Sequence, residues 1–477
     1  MYRLKPSLLI IFISSFTNVF SQYNNIDLSK YKLPDLDRRI LETNYIISGL
    51  NSSLEGDRYN RYSTQFDLNY NHFQNTRVNQ KETDLRFNFD FITFNNKENG
   101  NLQSKQNYLT PNLYYKGKYR HYNDRLFFFE TDLILGSQYI HSSYFSMPEN
   151  GNLSKSSTNT LDLISFVPLK FGKGRIEPIQ DFRHAIYIID ELAKIGKITH
   201  GKSEEQIVEF AQLISRLKND RFFDSRLRRI AEITSLDSFL ISDGFVSTQD
   251  VEYFTTLNDY WVYGNRPIRN AGTRVSGVIR PGYYYPGLFD DISVGNDNTL
   301  KYINSLFMLD GGIEVKHENP INLYWQNTID LNLFMGIYEG RYRDLFDTEE
   351  YKARTHNFNV SYSQNIGFYP NTRTDINFGY SVKYFHMFEN DLSNDFNAAR
   401  VATNLSLNYY ISPKLRLNAF STFYFYWQDS DPLAINLNEV NNEFLLKHFD
   451  FGLGGYNITL INELYHGFQI SLLYSIF

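Results

Sequence analysis

Asp84-Leu85-Arg86-Phe87-Asn88-Phe89-Asp90-Phe91 is the stretch that decides the fold, because every odd position in it is apolar and every even one polar. Side chains alternate across a strand, so such a segment has one apolar and one polar face. The pattern recurs in Asp375-Ile376-Asn377-Phe378-Gly379-Tyr380-Ser381-Val382-Lys383-Tyr384 and in Phe66-Asp67-Leu68-Asn69-Tyr70. It returns in Ile329-Asp330-Leu331-Asn332-Leu333 and in Leu415-Arg416-Leu417-Asn418-Ala419. The chain is therefore largely β.

Two architectures fit alternation on this scale. A soluble sandwich turns its apolar faces inward, whereas a membrane barrel turns them out to lipid. Many of the strands are about ten residues or longer, near the length a tilted strand needs to cross a bilayer. Of the 477 residues 17% are aromatic, with 40 Phe and 37 Tyr, residues that form girdles at membrane interfaces. The final ten residues, Phe468-Gln469-Ile470-Ser471-Leu472-Leu473-Tyr474-Ser475-Ile476-Phe477, read as a strand ending on an aromatic carboxy-terminus. These features favour the barrel.

The first 21 residues read as an export signal. Arg3 and Lys5 precede the apolar run Leu8-Leu9-Ile10-Ile11-Phe12-Ile13, and Val19-Phe20-Ser21 offers a cleavage site before Gln22. That apolar run is too short to span a bilayer as a helix. The chain has no cysteine, which excludes disulfides, thiolate metal sites and cysteine nucleophiles. Its net charge of -6 gives no electrostatic support for nucleic-acid binding.

The signal ending in Ser-Gln, the Tyr- and Asn-rich alternating strands and the terminal Phe resemble outer-membrane β-barrels of Gram-negative bacteria, with a Bacteroidota flavour. The resemblance is to a class and names no substrate. It implies outer-membrane lipid as the surroundings and recognition by the barrel-assembly machinery. The expected fold is thus an all-β transmembrane antiparallel barrel of about fourteen to sixteen strands. Fifteen candidate strands can be drawn, 41-50 being the weakest and 444-458 the penultimate. An odd count conflicts with the even number usual in such barrels. Tight connections at 317-320, 369-371 and 411-413 read as periplasmic turns, yet they would leave the last strand ending outside.

A central segment departs from the β pattern. Phe182, Ala185, Ile186, Ile189 and Leu192 share a helical face, and Gly196 follows as a terminator. Ser203-Glu204-Glu205-Gln206 is a capping box ahead of Ile207, Phe210, Ala211, Ile214 and Leu217. A third stripe, Phe223, Leu227, Ile230 and Ala231, ends before Gly244. The expected organisation is a signal at 1-21, a leading segment at 22-61, a first barrel half at 62-170, a three-helix insertion at 171-245 and a second half at 246-477. So short a leading segment leaves no room for a plug domain of the kind found in energised importers.

Candidate site residues follow from the faces. If the apolar side meets lipid, Asp67, Arg86, Asp90, Asp330, Asp375, Lys383 and Arg416 point into the lumen. There they either set the field met by solutes or pair with one another. Arg221, Arg226, Arg228 and Arg229 on the insertion are candidates for gating or for docking an envelope protein. Residues 172-244 hold twelve basic and twelve acidic side chains, which favours a plain solvated helix face. Trp261, Tyr263, Tyr283, Tyr284 and Tyr285 read as interface-belt aromatics.

Catalytic signals are weak: there is no Gly-x-Ser-x-Gly elbow and no His-Glu-x-x-His pair, and His184 reads as a packing residue. No catalytic residue, metal ligand or cofactor is expected. The leading expectation is a pore or transport barrel whose insertion gates the lumen or docks a partner. The alternatives are a non-conducting scaffold in secretion, envelope assembly or surface-polysaccharide handling, and a lipid-modifying enzyme with a Ser-His pair at the membrane rim.

Overall fold

The computed structural model describes residues 27-54, 57-98, 101-147, 154-198, 203-219, 225-263, 269-292, 298-344, 350-389, 396-412, 415-428 and 463-474. The export signal and the strand expected at 444-458 lie outside them.

Fifteen strands form one antiparallel sheet. The first half holds β1 (Leu36–Leu54), β2 (Asp57–Asn75), β3 (Asn79–Glu98), β4 (Asn101–Tyr122), β5 (Phe127–Ser146), β6 (Ser154–Phe166) and β7 (Leu169–Pro178). After the helices come β8 (Asn270–Ile292), β9 (Asn298–Pro320), β10 (Trp325–Asp344) and β11 (Glu350–Phe368). The sheet ends with β12 (Thr374–Glu389), β13 (Phe396–Ser412), β14 (Leu415–Gln428) and β15 (Glu463–Tyr474). Each strand pairs with its sequence neighbour, as in an up-and-down barrel.

One traverse of the sheet is interrupted at Val167-Pro168. Both β6 and β7 pair with β5 on one side and with β8 on the other. Together they make one traverse broken by the proline, so the described strands make fourteen traverses, while the odd count of the sequence turns on 444-458, outside the described residues. The weak segment at 41-50 is the body of β1, in unbroken register with β2. Both outer strands then place Leu36 and Tyr474 at the turn end, which carries the connections 76-78, 123-126, 321-324 and 369-373. Among the described residues no ladder joins β1 to β15.

The strands run up to 23 residues, about twice the length needed to cross a bilayer. Their outward apolar face is shorter than the strands. On β10 it comprises Ile329, Leu331, Leu333, Met335 and Ile337, after which Glu339 and Arg341 follow on the same face. Nine residues rise about 30 Å along the strand, and a tilt of roughly 40° brings that near the ~25 Å apolar band of a membrane barrel. Met335, Phe378, Leu405 and Phe468 are exposed on this face, as lipid-facing side chains must be.

The insertion joins β7 to β8 at the turn end and holds four helices: α1 (Gln180–Lys194), α2 (Glu204–Asn219), α3 (Ser225–Ser242) and α4 (Val251–Tyr263). The first two follow the sequence closely. Their expected apolar stripes are buried at 0–7% exposure, and Ser203 and Gln206 exchange backbone-to-side-chain hydrogen bonds as a capping box. Gly196 and Gly244 adopt φ of +70° and +65° as helix stops.

The sequence reading needs three corrections here. The helical region runs to Tyr263 rather than 245, because α4 follows Gly244. Trp261 is therefore a buried core residue and Tyr263 packs edge-on against Tyr410, so neither is a belt residue. Of the three consecutive tyrosines Tyr283 is exposed, while Tyr284 is buried in the lumen-side apolar cluster. The third correction concerns α3, which leaves Ile230 64% exposed and buries Glu232, Leu236 and Leu240 instead. Its register is turned because the Trp261 indole donates a 2.7 Å hydrogen bond to Glu232 and draws that carboxylate inward. Phe223 lies outside the described residues.

Candidate gate and lumen

Helix α1 is the centre of the insertion, since Phe182, Arg183, His184, Ala185, Ile186, Ile188, Ile189 and Leu192 are all fully buried. One side packs on α2 and α4, and the other meets the barrel's turn end. Tyr187 donates from its hydroxyl to the Tyr369 carbonyl at 3.0 Å, at the β11–β12 turn. The Arg183 guanidinium lies 5.3 Å from the Tyr187 and Tyr369 ring centres. Arg269 donates to the carbonyls of Leu323, Asn322 and Trp325, fixing the β9–β10 turn. Arg373 pairs with Asp259 of α4 at 2.7 Å.

A second set of contacts holds the opposite side. Tyr31, ahead of β1, stacks on Phe182 at 5.5 Å and shares a 2.7 Å hydrogen bond with Ser215 of α2. Lys218 pairs with Asp181 at 2.6 Å, and the Ser215 hydroxyl donates to the same carboxylate. The Leu33 amide donates to Glu177 at the end of β7. Arg175 reaches past β5 and β4 to the carbonyls of Arg77 and Thr76 at 2.7 and 2.8 Å. The chain can turn in this way because Gly174 has φ +105°, and a Cβ there would meet the Thr273 carbonyl at 2.0 Å.

These contacts make the helices a cap seated on the turns around the rim, not a plug lying along the strands. Burial presses the His184 imidazole well below its ordinary range, where it stacks on Trp261 at 5.3 Å and bonds the Tyr260 carbonyl. Burial likewise lowers the Lys218 ammonium, opposed by Asp181. His184 is a packing residue, as its sequence setting suggests.

The arginine candidates divide. Arg228 pairs with Glu232 at 2.6 Å, and Arg229 lies 3.7 Å from the same carboxylate and donates to Asn258. Both are thus used inside the cap. Arg226 stands in the first turn of α3, and Arg221 lies outside the described residues.

The lumen candidates all stand on inward-facing register positions but form no single site. Asp67 accepts from the amides of Asn44, Gln65 and Asn88. Arg86 is held by Asp84, with Nε 3.0 Å from Oδ1. Asp330 lies 3.8 Å from Lys316, Asp375 accepts from Asn377 and Asn408, and Arg416 donates to the Tyr410 hydroxyl. Asp90 stands between Gln65 and Thr110, and Lys383 between Ser361 and Arg400. Both are half-buried.

The charges that do converge were not legible in the alternating segments. Lys170 of β7 lies 2.7 Å from Glu314, 3.6 Å from Glu130 and 3.7 Å from Asp132. Arg120 closes on Glu130 from β4, and Arg280 binds Asp310 bidentately at 2.9 and 2.7 Å. Basic β4, acidic β5, basic β7 and β8 and acidic β9 thus interleave on one wall, so their fields largely cancel. The one sequence signal was an inward column of charge at every second residue, Lys116-Lys118-Arg120.

Ser421 and His466 lie 3.2 Å apart on the lipid-facing side of β14 and β15. Among the described residues no carboxylate hydrogen-bonds His466, the orienting role that such a pair requires. Among the same residues no group of three or more His, Asp or Glu side chains is arranged to hold a metal ion.

No family model matches the chain, and no curated protein sequence matches it. Solved structures do. One is the siderophore receptor PiuA of Acinetobacter baumannii, at 9% identity and a TM-score of 0.28, over 84% of this chain and 64% of that one. Another is the transport unit of the autotransporter AIDA-I from Escherichia coli, at 10% identity and a TM-score of 0.26, over 86% and 99%. A loop-deletion form of OmpT, an outer membrane protein of Vibrio cholerae, matches at 8% identity and a TM-score of 0.21, over 83% and 96%. Likeness at this level carries no argument about activity.

Proposed function

We propose that this chain is an outer-membrane transport barrel whose periplasmic mouth is closed by its helical cap. The belt of exposed apolar and aromatic side chains supports the membrane setting. The turns after β2, β4, β9 and β11 and both outer strand ends share one end, as expected of the periplasmic side, and the cap lies on that end. The observation that carries the reading is the set of attachments on two sides of the cap: Tyr187 to Tyr369 and Arg373 to Asp259 on one, Tyr31 to Ser215 and Phe182 on the other. A cap held around the rim obstructs the lumen until those contacts are released.

The test is single-channel conductance in planar bilayers. The intact protein should be silent or rarely open. A form with residues 180-263 replaced by a short flexible linker, shown to be a folded barrel, should conduct steadily. Silence in both forms removes the transport reading.

A second reading, a scaffold that docks an envelope protein, is favoured by one observation. Ile230, Ile241, Val251 and Phe254 expose apolar surface on α3 and α4. Its mark would be a stoichiometric partner lost when Ile230 and Val251 are both changed to Lys.

A further inference from the structure

The lumen wall of β4 to β10 lines a half-open cavity of about 300 Å³, at the lower end of the range for small-ligand sites. Its apolar lining includes Ile134, Phe166, Val278, Met308 and Tyr338. Phe166, Met308 and Tyr338 also belong to a buried inward cluster with Leu306, Met387 and Tyr426. The apolar surface therefore continues from the cavity towards the loop end of β12 and β14. Lumen walls of wide barrels are ordinarily polar, so this band calls for an explanation.

The charged lining is four basic residues against three acidic ones: Lys116, Lys118, Lys170 and Arg280 facing Asp132, Asp310 and Glu314. Three of the cations are engaged. Lys170 has its carboxylates, Arg280 has Asp310 and Lys118 has Glu82 at 3.1 Å. Lys116 differs. Its cross-strand neighbours are Asp84 and Ile134, and Asp84 is already held by Arg86. Among the described residues Lys116 makes no ion pair, and its exposed side chain borders both this cavity and the neighbouring one beneath β1 to β3.

An apolar wall ending at a single uncommitted cation selects for a particular chemistry. A neutral amphiphile gains nothing from Lys116, a cationic one is repelled, and a polyanion must break existing pairs to be satisfied. We propose that this cavity binds a monoanionic amphiphile, a carboxylate on a medium-length hydrocarbon tail. The tail lies on Phe166, Met308 and Tyr338, and the carboxylate meets Lys116. This names the solute class of the transport reading and rests on it for its purpose, but binding is read without flux. Absent binding beside cap-dependent conductance overturns only this assignment, and saturable binding beside a silent barrel overturns only the transport reading.

The experiment uses the full chain in lipid nanodiscs, with radiolabelled decanoate as the probe and empty nanodiscs as the baseline. One saturable site per barrel is expected above that baseline. Decanol and decyltrimethylammonium should compete at least about tenfold less well than unlabelled decanoate. Lys116→Gln should weaken binding about tenfold, the scale of one charge-assisted hydrogen bond, and Lys116→Arg should restore most of it. Met308→Gln should weaken it by a similar factor through the tail. Each variant is checked for a folded barrel by its heat-modifiable gel mobility. Decanoate uptake no greater than that of empty nanodiscs, equal competition by decanol, or unchanged affinity in folded Lys116→Gln would each overturn the proposal.

Discussion

Tyr187 of the first insertion helix donates its hydroxyl proton to the main-chain oxygen of Tyr369, 182 residues away, at 3.0 Å. Both residues are buried, and the bond ties the centre of the cap to the turn between β11 and β12. Tyr187→Phe keeps the ring and removes the donor, leaving a buried carbonyl short of its partner. The expected loss is about 1–2 kcal/mol of cap stability. It should appear as faster proteolysis within 180-263 and as brief openings in single-channel records.

The His184 imidazole gives the cap a pH dependence. Its folded-state pKa is depressed well below the ordinary value near 6.5 by burial. The unfolded chain therefore binds the proton more readily, and the cap loses stability as pH falls below about 6.5, by up to ~1.4 kcal/mol per unit. Above that pH the residue is neutral in both states and contributes no slope. Limited proteolysis between pH 7.5 and 5 should show the cap loosening, and His184→Gln should flatten that dependence.

Glu232 accepts from the Trp261 indole at 2.7 Å and from Arg228 at 2.6 Å. Glu232→Ala would strand a buried N–H and cost the cap about 1–3 kcal/mol. Glu232→Gln preserves an acceptor for the indole and should lose less. Denaturation followed by fluorescence from Trp261, with Trp325 and Trp427 replaced by Phe, would separate the two.

Lys170 neutralises Glu130, Asp132 and Glu314 from one position on β7. Lys170→Met would leave these carboxylates, two on β5 and one on β9, without their shared cation. Breaking a buried pair by removing one partner costs about 3–5 kcal/mol. The gel-shift temperature of the barrel should drop markedly.

The sequence by itself determined the two kinds of local structure. A period of two in segments such as 84-91 and 375-384 depends only on backbone geometry, so it marked strands and their outward faces directly. The stripes at Phe182–Leu192 and Ile207–Leu217, the Ser203–Gln206 box and the stops at Gly196 and Gly244 are likewise local, and they specified α1 and α2. Helix α4 does carry a stripe, Tyr253, Leu257 and Trp261 at helical spacing, but Val251 and Phe254 put apolar residues on its exposed side as well, and docking against α1 and α3 selects the face that is buried.

Tertiary structure decided what distance along the chain conceals. The break at Pro168 merges β6 and β7 into one traverse, a fact visible only in their shared partners β5 and β8. The inward direction of Asp67 or Asp375 could be read from alternation, but not which charges converge. Lys170 meets Glu130 and Glu314 because β7 pairs with β5 on one side and β9 follows one strand beyond, across β8, on the other. The position of the cap has the same origin: its segment enters and leaves at the turn end, and Tyr31, Arg183, Arg269 and Arg373 find their partners only when the sheet has brought the far rim to them.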